Sequence, residues 1–213
     1  MKVKLVPTLL TQSFTEFKEK LEKLDEYFDL VQIDCADGEF VANKTFFDQE
    51  KIKSLSPGVD FELHLMVKEP IKVIKKWQNN RRVKRIIFHY EAVKNDKKIL
   101  GLIDYLKKLK IKAGLAVNPE TKFEQFKKFL PILDLVLVLG VNPGWGGQEF
   151  QSIVLSKIKQ IRKAYPEIDI EVDGGVNLEN AEEIVRAGAN ILAAGAIFIS
   201  GNIGGIIKKF NYK

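Results

Sequence analysis

Leu30-Val31-Gln32-Ile33-Asp34-Cys35-Ala36-Asp37-Gly38 is the stretch on which the fold turns. Side chains alternate along a strand, so Gln32, Asp34 and Ala36 share one face, and Ile33 and Cys35 the other. We read about Leu30 to Cys35 as the second strand. Before it, Ser13-Phe-Thr-Glu16 forms a capping box, and Phe14, Phe17, Leu21, Leu24 and Phe28 make one helical stripe. Val3 to Val6 opens the chain as strand one. Beyond Gly38 the alternation repeats, with strands at Phe61 to Met66, Arg85 to His89, Lys112 to Ala116, Leu135 to Leu139, Ile168 to Asp173 and Asn190 to Ala194. Between them, Ile71, Ile74 and Trp77 follow Pro70 on one helix, and Ile99, Leu100, Ile103 and Leu106 stripe another. A right-handed series of eight parallel units closes as a barrel, so the expectation is a single (β/α)8 TIM barrel over residues 1–213. An open doubly wound sheet is the alternative. The turn after strand one, Pro7-Thr8-Leu9-Leu10-Thr11, lacks the glycines of a dinucleotide fingerprint.

With 213 residues, 46% hydrophobic and 29% charged, the chain suits one globular domain. No apolar run reaches the roughly 18 residues of a membrane span, and the N-terminus has no targeting signature. One cysteine, Cys35, rules out an internal disulfide and fits a reducing, cytoplasmic setting. The net charge of +6 raises the question of nucleic acid. Only residues 81, 82, 85, 162 and 186 are arginine, and the lysines lie between acids on helical stretches such as Lys18-Glu19-Lys20. Solvated helix faces explain that pattern, and no nucleic-acid or membrane partner is expected. Arg81-Arg82-Val83-Lys84-Arg85 also reads as surface.

Chemistry collects where strands end. Strand three finishes Glu62-Leu-His64-Leu-Met66 and strand seven Glu171-Val-Asp173-Gly174-Gly175, each with its polar groups in phase. Three strands thus send carboxylates and an imidazole to one mouth, an arrangement that needs a cation or substrate to offset it. Around the same rim lie Gly144-Trp145-Gly146-Gly147, Gly174-Gly175 and Gly195-Ala196, where backbone N–H groups free of a Cβ can cradle phosphate.

Over nearly its whole length the chain resembles the ribulose-phosphate 3-epimerase family. The carriers are Pro7 to Leu10, Gln32 to Asn43, His64 to Val67, Phe88 to Ala92, Val117 to Pro119, Val141 to Gln148 and Glu171 to Val176. The resemblance implies epimerisation at C3 of a ketose phosphate, ribulose 5-phosphate to xylulose 5-phosphate, with Asp34 and Asp173 as the acid–base pair. It implies one divalent metal of the Zn, Fe, Mn or Co class at Gln32, Asp34, His64 and Asp173, stabilising an enediolate. It places Thr8, His64, Met66, Gly144, Trp145, Gly146, Gly147, Gly174, Gly175, Gly195 and Ala196 around a small phosphorylated sugar, and a homo-oligomer is compatible with the family. Glu171 would orient the shell from behind, His89 would be a hydrogen-bonded interior residue, and Asp37 would hold a turn.

The pattern is broken in places. Gln32 stands where the family carries histidine, which predicts a weaker or differently selective metal site. Ala36 and Leu139 stand for methionines, Thr8 and Gly140 for serines, and the strand-eight motif around Ala194 to Phe198 is one residue short. Two alternatives follow: an epimerase for a ketohexose 6-phosphate such as allulose 6-phosphate, or a non-catalytic phosphosugar binder.

Overall fold

Eight parallel strands form a closed barrel in chain order: β1 (Lys4–Leu9), β2 (Leu30–Ala36), β3 (Asp60–Met66), β4 (Val83–His89), β5 (Lys112–Val117), β6 (Leu135–Leu139), β7 (Asp169–Asp173) and β8 (Ile191–Ala194). Closure is made by β1 on β8, with Lys4 opposite Ile191 and Pro7 opposite Ala194. This computed structural model describes residues 3–55, 57–195 and 202–210. The connecting helices are α1 (Phe14–Asp25), α2 (Gln49–Ser54), α3 (Pro70–Trp77), α4 (Tyr90–Val93), α5 (Asp96–Lys108), α6 (Phe123–Phe126), α7 (Val154–Ala164) and α8 (Ala181–Ala187), and a further helix covers Ile203–Phe210.

Local chemistry explains the element ends. Ser13 Oγ accepts from the Glu16 N–H at 3.2 Å, as the capping box requires, but the Glu16 carboxylate reaches back to the N–H of Gln12 (2.8 Å), outside the expected reciprocal pair. Asp48 and Asn95 cap α2 and α5 through the N–H groups of Lys51 and Lys98. On α5 the buried residues are Ile99, Leu102, Ile103 and Leu106, a true 3–4–7 spacing. Leu100, placed on that stripe from sequence, is 46% exposed.

The outward strand faces pack on the helices. Ile33, Cys35, Leu63, Leu65, Phe88, Leu115, Val136, Val172 and Leu192 join Phe17 and Leu21 of α1 and Trp77 of α3 in one core. Full burial of such a side chain stabilises by roughly 1.5–3 kcal/mol. Inside the barrel, Val6, Ile87, Ala116, Leu135, Leu137, Leu139 and Ile191 form a smaller apolar cluster. The charged interior residues among those described come from β2, β3, β4 and β7. That asymmetry positions the site.

Candidate active site

Two charged layers stand one above the other inside the barrel. Register sets Gln32 of β2 beside Glu62 of β3, and Asp34 beside His64. In the lower layer, buried Arg85 of β4 directs Nε to Glu62 and Nη2 to Glu171 Oε2 (3.0 Å). Arg85 is only 6% exposed, so the surface reading of the basic cluster fails for this residue. Alternation explains it: with Ile86 and Phe88 facing the helices, Arg85 and Ile87 must face the barrel axis. Glu171 is therefore tied to the lower layer through Arg85. Burial, then the charge of Glu62, pushes its carboxyl well above the ordinary range, and the nearby guanidinium only partly offsets this.

The upper layer holds Asp34, His64 and Asp173. His64 Nδ1 lies 3.0 Å from Asp34 Oδ1 and 3.4 Å from Asp173 Oδ2. The Gln32 amide bridges the same two carboxylates, Nε2 donating at 2.9 Å to each. Burial raises the Asp34 pKa and the charge of Asp173 adds to this, while hydrogen bonds from His64 and Gln32 pull the other way. Burial alone would lower the His64 pKa; bonds to Asp173 and Asp34 and their charges outweigh it and carry the value to about 10. His64 Nε2 contacts His89 Nε2 at 2.9 Å, and His89 Nδ1 faces Glu91 Oε2 at 3.4 Å. Glu91 in turn accepts from the Asn118 N–H (2.9 Å) and the Thr121 hydroxyl. Burial lowers the His89 pKa, with the bond to Glu91 acting the other way. The interior, hydrogen-bonded role expected of His89 is what the structure contains, and its direct contact with His64 is an addition.

Asp34, His64 and Asp173 offer ligand atoms within 4.8 Å of one another, and two carboxylates with an imidazole suit a divalent cation. Gln32 presents nitrogen to the carboxylates, while its Oε1 is buried without a hydrogen-bond partner. Donation of that oxygen to an ion requires the amide to be reversed.

Above this layer opens a cavity of about 430 Å³ lined by Thr8, His64, Met66, Leu139, the segment Gly144 to Gly147, Gly174, Gly175 and Gly195, together with Asp34 and Asp173. Ala196 lies outside the described residues. Gly174 and Gly175 take φ of +94° and +69°, and a Cβ on Gly175 would stand 2.6 Å from the Phe150 backbone nitrogen. Only glycine fits that approach. Trp145 is 57% exposed at the rim. Asp37 accepts from the N–H groups of Glu39, Phe40 and Lys68, which is the turn-holding role expected of it. Sequence reasoning missed Lys20, which also lines the cavity. It missed Asn43 too, whose Nδ2 donates to the Gly144 carbonyl at 2.7 Å. Only tertiary contact reveals either.

The model of the ribulose-phosphate 3 epimerase family matches residues 4–199. The chain belongs to that family. Among curated ribulose-phosphate 3-epimerases, it is 35% identical over 202 residues to that of Bacillus subtilis, covering 91% of each chain. It is 32% identical over 205 residues to the Eremothecium gossypii protein, covering 90% of this chain and 84% of that one. A mutant tryptophan synthase alpha-subunit from Pyrococcus furiosus superposes with a TM-score of 0.72, covering 99% of this chain and 98% of that one, at 16% identity, a likeness of fold alone. Family membership makes the chain a carbohydrate epimerase, an isomerase. Among the described residues no helix is long and apolar enough to cross a membrane. Two departures from the family pattern gain a physical context. A Cβ on Gly140 would lie 2.4 Å from the Gly174 carbonyl and 2.6 Å from the Phe150 ring, so a serine has no room in this backbone. Leu139 lines the cavity, while Ala36 is fully buried and too short to reach its wall.

Proposed function

We propose that this epimerase interconverts ribulose 5-phosphate and xylulose 5-phosphate, with Asp34 and Asp173 exchanging the C3 proton. The observation that carries this is the pair of carboxylates from β2 and β7, cross-tied by one Gln32 amide at 2.9 Å to each and opening on a glycine-rimmed cavity. One carboxylate takes the proton from C3, the C–H electrons move toward the C2 carbonyl to give an enediolate, and the other carboxylate returns a proton to the opposite face. The roles swap with direction. The raised pKa of Asp34 suits a group that must hold a proton near neutral pH. The glycine rim binds the phosphate through backbone N–H groups.

Asp34, His64 and Asp173 would hold a divalent cation of the Zn, Fe, Mn or Co class, with Gln32 as fourth donor once its amide is reversed. Bound there, such an ion supplies positive charge to offset the negative charge that develops on the sugar oxygens.

The test is solvent deuterium exchange at C3, run with ribulose 5-phosphate and with allulose 6-phosphate. Exchange into the pentose phosphate that falls about 10²–10⁴-fold in Asp173→Asn supports the reading. Exchange confined to the hexose phosphate reassigns the substrate, a reading that the smaller Leu139 favours. Binding without exchange, with divalent cations added, leaves a phosphosugar binder and overturns the proposal.

A further inference from the structure

A phosphate monoester carries about −1.5 to −2 charge at pH 7, and the mouth it must enter already holds Asp34 and Asp173. The glycine rim supplies dipoles but no net charge. Among the described lining residues Lys20 is the single lysine or arginine. It projects from α1 and lines the same cavity as the glycines Gly144, Gly146, Gly147, Gly174, Gly175 and Gly195.

Its side chain is held there. Lys20 Nζ donates to Glu16 Oε1 at 2.6 Å, and Glu16 Oε2 is engaged by the Gln12 N–H at 2.8 Å. The carboxylate is thus fixed from both oxygens and keeps the ammonium at the cavity. An ammonium has three donors, and among the described residues Glu16 is the one hydrogen-bond partner of Lys20. Two N–H groups are left for a ligand. The side chain is 27% exposed, open to an incoming anion yet partly shielded from solvent. The same helix carries Lys18 paired with Glu22, and there both side chains are more than half exposed. Lys20 differs from such a surface pair by its place in the cavity wall.

We infer that Lys20 is the charged arm of the phosphate subsite, its ammonium binding the phosphoryl group that the glycine N–H donors cradle. This rests on the reading of the substrate as a ketose phosphate, but it concerns the phosphate group and not the chemistry at C3. One positive charge in contact range of a dianion changes binding about tenfold even in a water-like dielectric.

Calorimetric titration with inorganic phosphate, and steady-state kinetics with ribulose 5-phosphate, are run on the unmodified protein, Lys20→Gln and Glu16→Gln. Lys20→Gln is expected to weaken phosphate about tenfold and to raise KM by a similar factor, with the loss falling on KM more than on kcat. Its phosphate affinity should also depend less steeply on salt. Glu16→Gln keeps the ammonium and leaves it an amide oxygen to bond, so phosphate affinity should fall clearly less than in Lys20→Gln. Both variants lose the α1 pair, so any fold-level effect of that loss is common to them. Equal weakening in the two, unchanged phosphate affinity in Lys20→Gln, or no phosphate binding by the unmodified protein overturns the inference. Tight, Lys20-dependent phosphate binding without exchange at C3 would retain it and sink the proposed reaction instead.

Discussion

Arg85→Met is the most informative perturbation of the barrel interior. Methionine retains an unbranched apolar stem and removes the guanidinium, which leaves Glu62 and Glu171, both fully buried, facing each other without their shared cation. Removing one partner of a buried ionic group costs about 3–5 kcal/mol, because the remaining charge is desolvated and uncompensated. In a chain of this size each kcal/mol moves Tm by about 2–4 °C, so a fall of about 6–20 °C is expected. The pH dependence gives the reasoning its sign. The Glu171 carboxyl is already pushed above its ordinary value of 4.5 in the folded protein, so its contribution is complete below that value and is lost as pH rises through the folded one. Without Arg85 the folded value climbs further, so the stability deficit should be largest near neutral pH and shrink on acidification. Calorimetric melts of both proteins from pH 5 to 8 measure this. Glu171→Gln placed in the variant should restore part of the loss by removing one charge. A fall below about 2 °C, or a deficit flat across that range, would falsify the view of the lower layer as a cation-dependent pair of carboxylates.

Other perturbations reach the upper layer and the rim. His89→Phe removes the ring nitrogen that contacts His64 Nε2 and is expected to weaken Mn²⁺ or Co²⁺ binding about 10–100-fold by calorimetry; unchanged affinity would mean that the strand alone orients His64. Gly140→Ser drives a Cβ against the Gly174 carbonyl and the Phe150 ring, and a loss of about 1–3 kcal/mol should appear in denaturant melts. In chelator-treated protein the raised His64 pKa stabilises the fold fully below 6.5, and this share should disappear as pH rises through about 10. Denaturation midpoints that stay level between pH 7 and 10 would contradict that ion cluster.

Much of this site is written in strand alternation. Asp34, His64 and Asp173 lie in phase at three strand ends, and a barrel brings such ends together, so their convergence follows from pattern and topology. The glycine rim is legible for the same reason. Arg85 is not, because its neighbours Arg81, Arg82 and Lys84 are surface residues and local composition outweighed a two-residue period. Leu100 failed the opposite way: it is apolar, but one position off the 3–4–7 spacing that Leu102 fulfils. Lys20 and Glu16 are four apart on a helix, and one sequence signal describes both a solvent pair and a cavity wall. The choice depends on where α1 sits over β1 and β8, which alternation does not encode. The orientation of the Gln32 amide is likewise set by two carboxylates, one of them 141 residues farther along the chain.

Asn43 donates to the Gly144 carbonyl, and Val41 packs against the same glycine. The loop after β6 therefore behaves as a cantilever, clamped at Gly144 by a segment about a hundred residues distant, braced within itself by Gln148 on the Asn142 and Trp145 carbonyls, and open at Gly146 and Gly147. Its bending point is set by the clamp, and loosening Asn43 would lengthen the free arm at the rim of the cavity.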